Sequence, residues 1–195
     1  MLRIRILAST ALALALALGP GLATAAGNKP ASGQSAGSAS GEAKSARQVS
    51  TKDYIEKAAA GDLFEVETGK LAMQKAASSD VKRFGKMMTE DHMRSTDMIR
   101  NAAPKTNKDK ETVAKMTGHQ QGVTRQLMSA EGREFDRLYV QAQIDAHRQA
   151  LELHRSYAAS GEDAELKKVA AEIVPVIERH LAELRKISNT VTGSR

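Results

Sequence analysis

Glu67, the adjacent pair Asp91 and His92, His147 and His180 are the residues whose types and spacing bear most directly on chemistry. Imidazole nitrogens and carboxylate oxygens are the donors with which helical bundles hold metal ions, provided that the helices bring them to one level. Buried without an ion, the same groups form a hydrogen-bonded polar layer that fixes helix register. A di-iron site needs Glu-x-x-His on two helices, and that motif is missing, since Thr89, Ile144 and Ile177 stand three residues before His92, His147 and His180. Three imidazoles with one carboxylate suit a single ion such as zinc, manganese, iron or copper. Met87, Met88, Met93 and Met98 surround His92 as soft donors for copper, but they scatter around a helix, and Met88 reads as core filling.

The elements that must position these groups are helices. From Thr51 onward the chain is rich in Ala, Leu, Lys, Glu, Gln and Met, without long β-branched alternation. The pattern predicts helices over Thr51–Ala77, Ser79–Ala102, Gly132–Ala159 and Asp163–Thr190. The short turns at Ser78–Asp80 and Ser160–Asp163 make two antiparallel hairpins. Between them runs a crossover, Ala103–Glu131, in which Val113, Met116, Val123 and Leu127 are spaced for a shorter amphipathic helix. The predicted fold is all-α, a ferritin-like four-helix bundle.

At about 100° of rotation per residue, each helix carries one inward polar residue. Glu67 falls between Leu63 and Leu71 in the first helix, with Glu65 pointing out, and His92 lies in the stripe of Val81, Phe84, Met88, Ser95 and Ile99. Asp91 lies at the edge of that stripe, and Asp145 faces away. His147 shares a side with Asp136, Val140, Gln143 and Tyr157, and His180 with Leu166, Ile173, Ile177 and Leu184. Measured from the hairpin turns, all four inward residues fall in the middle third of the bundle and can converge. His119 and His154 read as surface or lining residues. Pro175 removes an amide inside the last helix, and Gly69 permits close helix approach.

Composition narrows the function classes. The 195 residues include no Trp and only 3% aromatics, so no platform for stacking bases or sugars is on offer. The absence of Cys excludes disulfides, thiolate metal sites and cysteine nucleophiles. The formal charge of +6 includes Arg3 and Arg5 of a leader, and elsewhere Lys and Arg alternate with Asp and Glu, which speaks against nucleic acid as a partner. Residues 1–25, with two arginines, the apolar run Ile6–Leu18 and the small residues Ala23-Thr24-Ala25, read as a secretory signal peptide too short to span a bilayer. Residues 26–50, rich in Gly, Ser and Ala, read as a flexible tether to a helical domain over 51–190, with a tail over 191–195. No nucleophile elbow, P-loop or H-E-x-x-H is present, so no hydrolytic activity is indicated.

Three blocks in order, GDLFEVETGKLAMQKAASSDVKRFGKMMTEDH, EFDRLYVQAQIDAH and LKKVAAEIVPVIERHLAEL, resemble the exported bacterial ferritin-like family known as domain of unknown function 4142, often labelled "predicted outer membrane protein". The resemblance covers Lys52 to Ser188 and implies a ferritin-like fold and an exported location, in the periplasm with outer-membrane association open, but no reaction. The family's recurring polar positions look like Glu67, Asp91-His92, His147 and His180; its frequent second Asp-His pair is absent, because Ala146 precedes His147. The function expected first is a non-enzymatic envelope or stress-related module acting through an envelope partner; the alternative is a protein holding one divalent metal ion, with redox activity open, through Glu67, His92, His147 and His180, with Asp91 beside them.

Overall fold

In a computed structural model the described residues are 49–104 and 114–193. The expected leader, nearly all of the tether, Val113 and the last two residues of the tail lie outside them. Among the described residues five helices follow in order: α1 (Thr51–Lys75), α2 (Ser79–Ala102), α3 (Gly118–Ser129), α4 (Gly132–Ser160) and α5 (Ala164–Gly193). No strand occurs among the described residues, only a lone backbone bridge between Ala76 and Gly132. The fold is the predicted four-helix bundle. α1 pairs with α2 and α4 with α5, α1 also meets α4, α2 meets α5, and the crossover helix α3 leans on α1 and α4.

Local chemistry fixes the helix ends. The Ser50 hydroxyl accepts the Asp53 amide, Thr117 and Gln120 form a reciprocal capping box, and the Asp163 carboxylate accepts the Leu166 amide at 2.9 Å. α1 stops two residues short of the predicted Ala77 because the buried Asp136 carboxylate, reaching across from α4, accepts the Ala77 and Ser78 amides at 3.1 and 2.9 Å. Gly132 opens α4 with φ of 58°, a left-handed conformation in which any Cβ is strained. α5 runs unbroken through Pro175, whose ring sits on the exposed side.

The core is aliphatic and aromatic along α2, α4 and α5, with Phe84, Phe135, Tyr139, Leu166, Ile177 and Leu184 almost fully enclosed. The stripes expected for these three helices are the buried ones. α1 differs. Its buried line is Ala58, Asp62, Glu65, Gly69, Ala72 and Ala76, while Leu63, Val66 and Leu71 are only half-buried. Small residues on this line let α2 come very close: a Cβ on Gly69 would stand 2.6 Å from the Gly85 carbonyl oxygen, and one on Gly85 would stand 2.7 Å from Ala72 Cβ. Gly69 thus does what its sequence position suggested.

Candidate metal centre

His92 on α2, His147 on α4 and His180 on α5 meet in the middle of the bundle, with one ring nitrogen of each within 4.8 Å of the others. All three rings are buried, and Phe84 lies beside His147 and His180 with centroids 6.2 Å from each. The antiparallel α1/α2 register that sets Gly69 against Gly85 also sets Asp62 against His92, two helical turns further on.

Each imidazole is anchored through one nitrogen by a group that only accepts. His92 Nδ1 lies 2.8 Å from Asp62 Oδ1, and the other oxygen of that carboxylate accepts the Thr96 hydroxyl at 3.0 Å. His147 Nδ1 donates to the Gln143 carbonyl at 2.9 Å. His180 Nε2 donates to Asp91 Oδ2 at 3.0 Å. The tautomers follow, because a carbonyl or carboxylate oxygen demands the proton on the nitrogen it faces. In the neutral rings the bare lone pairs are then on His92 Nε2, His147 Nε2 and His180 Nδ1. His92 Nε2 is buried without a partner among the described residues, and His147 Nε2 and His180 Nδ1 stand 3.2 Å apart. This is the pattern of metal-ligating histidines, in which one nitrogen is held by an outer carboxylate or carbonyl and the other points at the ion.

The electrostatics keep two of the rings neutral. Burial pushes the His147 imidazole well below its ordinary range, reinforced by His92 and His180. Burial brings His180 down to about 4 against the opposing hydrogen bond from Asp91. His92 moves the other way: burial disfavours its charge, but the Asp62 hydrogen bond and the surrounding carboxylates outweigh burial and raise it.

Of the sequence-selected residues, His92, His147 and His180 converge and Asp91 stands behind His180. Glu67 does not join them. Its side chain is 45% exposed and pairs with Lys70 at 2.9 Å, because the core-facing line of α1 is rotated by about two residues from the one marked by Leu63 and Leu71. Glu65, expected to point out, is 3% exposed; Oε1 lies 3.6 Å from His147 Nδ1 and Oε2 has no partner among the described residues. Burial pushes the Glu65 carboxyl up to about 7, opposed chiefly by His92. Asp62 was not singled out from sequence at all; its signal is the spacing of four, three, four, three and four along Ala58, Asp62, Glu65, Gly69, Ala72 and Ala76, a core period once small residues are counted. His154, taken for a surface or lining group, is buried against the Tyr54 hydroxyl at 3.0 Å and lines a cavity; burial brings it to about 4. His119 is exposed at the mouth of that cavity. The methionines do not gather: Met88 is fully enclosed in the core, Met93 is 57% exposed, and Met98 lies on the cavity wall.

The cavity measures about 730 Å³ and reaches the cluster, with Glu65, Asp91, His92 and His180 among its lining. Its long wall is apolar, including Leu127, Leu138, Ala142, Ala150, Ile173 and Ile177. The donors fit a metal ion. Nitrogens around one tetrahedral ion at 2.0–2.1 Å stand about 3.3 Å apart, close to the separation already seen between His147 and His180. No helix among the described residues is long and apolar enough to cross a membrane.

The comparison with curated proteins returned no match. Among solved structures the chain is similar to "CopM in the Cu(II)-bound form", with 16% sequence identity, a TM-score of 0.59, and coverage of 73% of this chain and 98% of that one. That likeness concerns the fold. The family described as "Domain of unknown function (DUF4142)" matches residues 35–187, most of the sequence, and with the three-histidine bundle laid out above the chain belongs to that family.

Proposed function

We propose that this protein binds one divalent transition-metal ion through His92 Nε2, His147 Nε2 and His180 Nδ1, in an exported compartment. The observation that carries the reading is the convergence of three lone pairs on rings whose other nitrogens are already committed to Asp62, the Gln143 carbonyl and Asp91. With His147 and His180 neutral, no proton is shared across their 3.2 Å contact, which favours positive charge between them. A bound ion supplies that charge. Asp62 and Asp91 hold the rings in the ligating tautomer, and burial keeps His147 and His180 unprotonated at neutral pH.

Copper(II) stands first among the ions. It heads the affinity order for nitrogen donors, and the structurally similar CopM is described in a Cu(II)-bound form. The leader-like segment at residues 1–25 supports export, with the periplasm as the compartment. Protein purified from its native compartment without chelator or affinity-tag metal should carry one metal ion per chain by elemental analysis, on a mature chain about 25 residues short of the full sequence by mass. A metal-free chain that does not take up copper(II) or zinc(II) on dialysis leaves the cluster as a polar layer and defeats the proposal.

A further inference from the structure

The cavity is far larger than an ion requires, and its lining is divided in kind. At its polar end three buried side-chain atoms lack partners among the described residues: Glu65 Oε2, His92 Nε2 and Ser95 Oγ. Along α4, Leu138, Ala142, Ala146, Ala150 and Leu153 follow one another at intervals of three or four residues, so a single helical face of small and aliphatic side chains forms one wall. Aliphatic residues of α5, Ile173, Val176 and Ile177, also line it. The rim carries exposed Lys57, Arg94 and Gln149, so the space reaches solvent. His92 and His180 line the cavity, whereas His147 does not, which puts the accessible side of the cluster toward the cavity.

We propose that the cavity admits a small neutral Lewis base with an apolar body, an azole-like molecule, to the open side of the three-histidine centre. The inference rests on the metal reading and goes beyond it by naming what the ion's remaining position takes. Three protein ligands with an open position mark metal sites that exchange an outside ligand, whereas closed structural sites use four. The apolar wall selects the body of the ligand, since burying apolar surface contributes ~25 cal/mol per Å². The charges select against an anion: Asp62, Glu65, Asp91, Asp145 and Glu172 line the space against Lys57, Arg94 and Arg179. Ser95 Oγ offers an acceptor for the second ring N–H of an azole head.

The test uses the full mature chain loaded with copper(II), titrated separately with imidazole, 4-phenylimidazole and azide. The ligand-field absorption band and electron paramagnetic resonance spectrum report ligand entry, and native mass spectrometry checks that the ion stays bound. The expected result is saturable binding of 4-phenylimidazole at least tenfold tighter than imidazole, equivalent to ~1.4 kcal/mol, with azide weaker than either. In Ala150→Phe or Ala142→Phe, which fill the wall at positions that supply no ligating atom, copper affinity by chelator competition should be unchanged. The advantage of the phenyl group should fall at least fivefold in these variants. Equal affinity for the two azoles, azide tightest, or an unaltered ratio in both folded variants overturns the inference while leaving the metal reading intact. Failure to load copper or zinc at all removes both.

Discussion

His147 Nε2 and His180 Nδ1 face each other at 3.2 Å while their other nitrogens donate to the Gln143 carbonyl and the Asp91 carboxylate. With both rings neutral, two lone pairs meet across a hydrogen-bond distance with no hydrogen between them. A proton or a metal cation between the lone pairs relieves the contact, so metal occupancy should appear directly in stability. At a free metal concentration 100 times Kd, linkage contributes ~2.7 kcal/mol, or about 5 to 11 °C in Tm for a domain of this size. Calorimetry with copper(II) or zinc(II) and then with chelator should show that shift in the native chain and none in His92→Ala or His147→Ala.

Asp62 should behave as a positioning residue for His92. Asp62→Asn keeps the shape but no longer demands the proton on His92 Nδ1, and outer-shell changes of this kind typically weaken metal affinity about 10- to 100-fold. Chelator competition should show that loss with the helical circular dichroism spectrum unchanged. Retained affinity would show that His92 ligates without its carboxylate.

Glu65 and Glu67 make a paired test. In metal-free protein Glu65→Gln should stabilise the fold at pH 8, because it replaces a buried carboxyl whose value is raised from 4.5 to about 7. The sign follows from linkage. The folded state holds this proton more tightly than the unfolded chain, so Glu65 disfavours folding increasingly as pH rises from 4.5 through 7. The gain should be on the order of 3 kcal/mol at pH 8 and vanish near pH 4, as read by urea unfolding. Glu67→Gln, exposed beside Lys70, should change stability by less than about 0.5 kcal/mol and leave metal affinity alone.

His154 gives a second pH prediction of opposite sign. Its value in the fold is lowered to about 4 by burial, so the unfolded chain binds this proton first. The stability associated with neutral His154 is complete above its unfolded value near 6.5 and is lost as pH falls toward 4. Nuclear magnetic resonance of the ring should show no protonation between pH 7 and 5; titration near 6.5 would mean that its contact with Tyr54 opens in solution.

Gly85→Ala should destabilise by ~1 to 3 kcal/mol through overpacking, since the new methyl would stand 2.7 Å from Ala72 Cβ and from the Gly69 carbonyl. It should also weaken metal binding, because Asp62 and His92 depend on the same helix crossing. A crystal structure of the variant with the Asp62–His92 contact at its original 2.8 Å would separate the crossing from the site.

The sequence made the bundle and most of the centre legible, and the reason is visible helix by helix. α2, α4 and α5 carry strong apolar stripes, so the inward direction of His92, His147 and His180 could be read from their neighbours. α1 has the weakest apolar bias of the helices, and its largest aliphatics, Leu63 and Leu71, flank the core instead of filling it. Beside the buried Tyr54, Phe64 and Thr68, the line that faces α2 and the histidines consists of Ala, Gly, Asp and Glu. Helix-wheel reading weights bulk and therefore rotated α1, exchanging Glu65 for Glu67 and passing over Asp62. The tautomers were equally out of reach, because they are set by Asp62, Asp91 and the Gln143 carbonyl, partners fixed only by tertiary contact.

The donor set is divided between the two halves of the chain: α1 and α2 contribute His92 with Asp62, Asp91 and Glu65, and α4 and α5 contribute His147 and His180. Each hairpin closes over a short turn and forms from local contacts, whereas the centre needs the long crossover closed first. Neither hairpin alone supplies all three ligating imidazoles. An ion bound at this centre would therefore act as a clasp that fastens only on a completed bundle, and its capture would report that the two halves have docked.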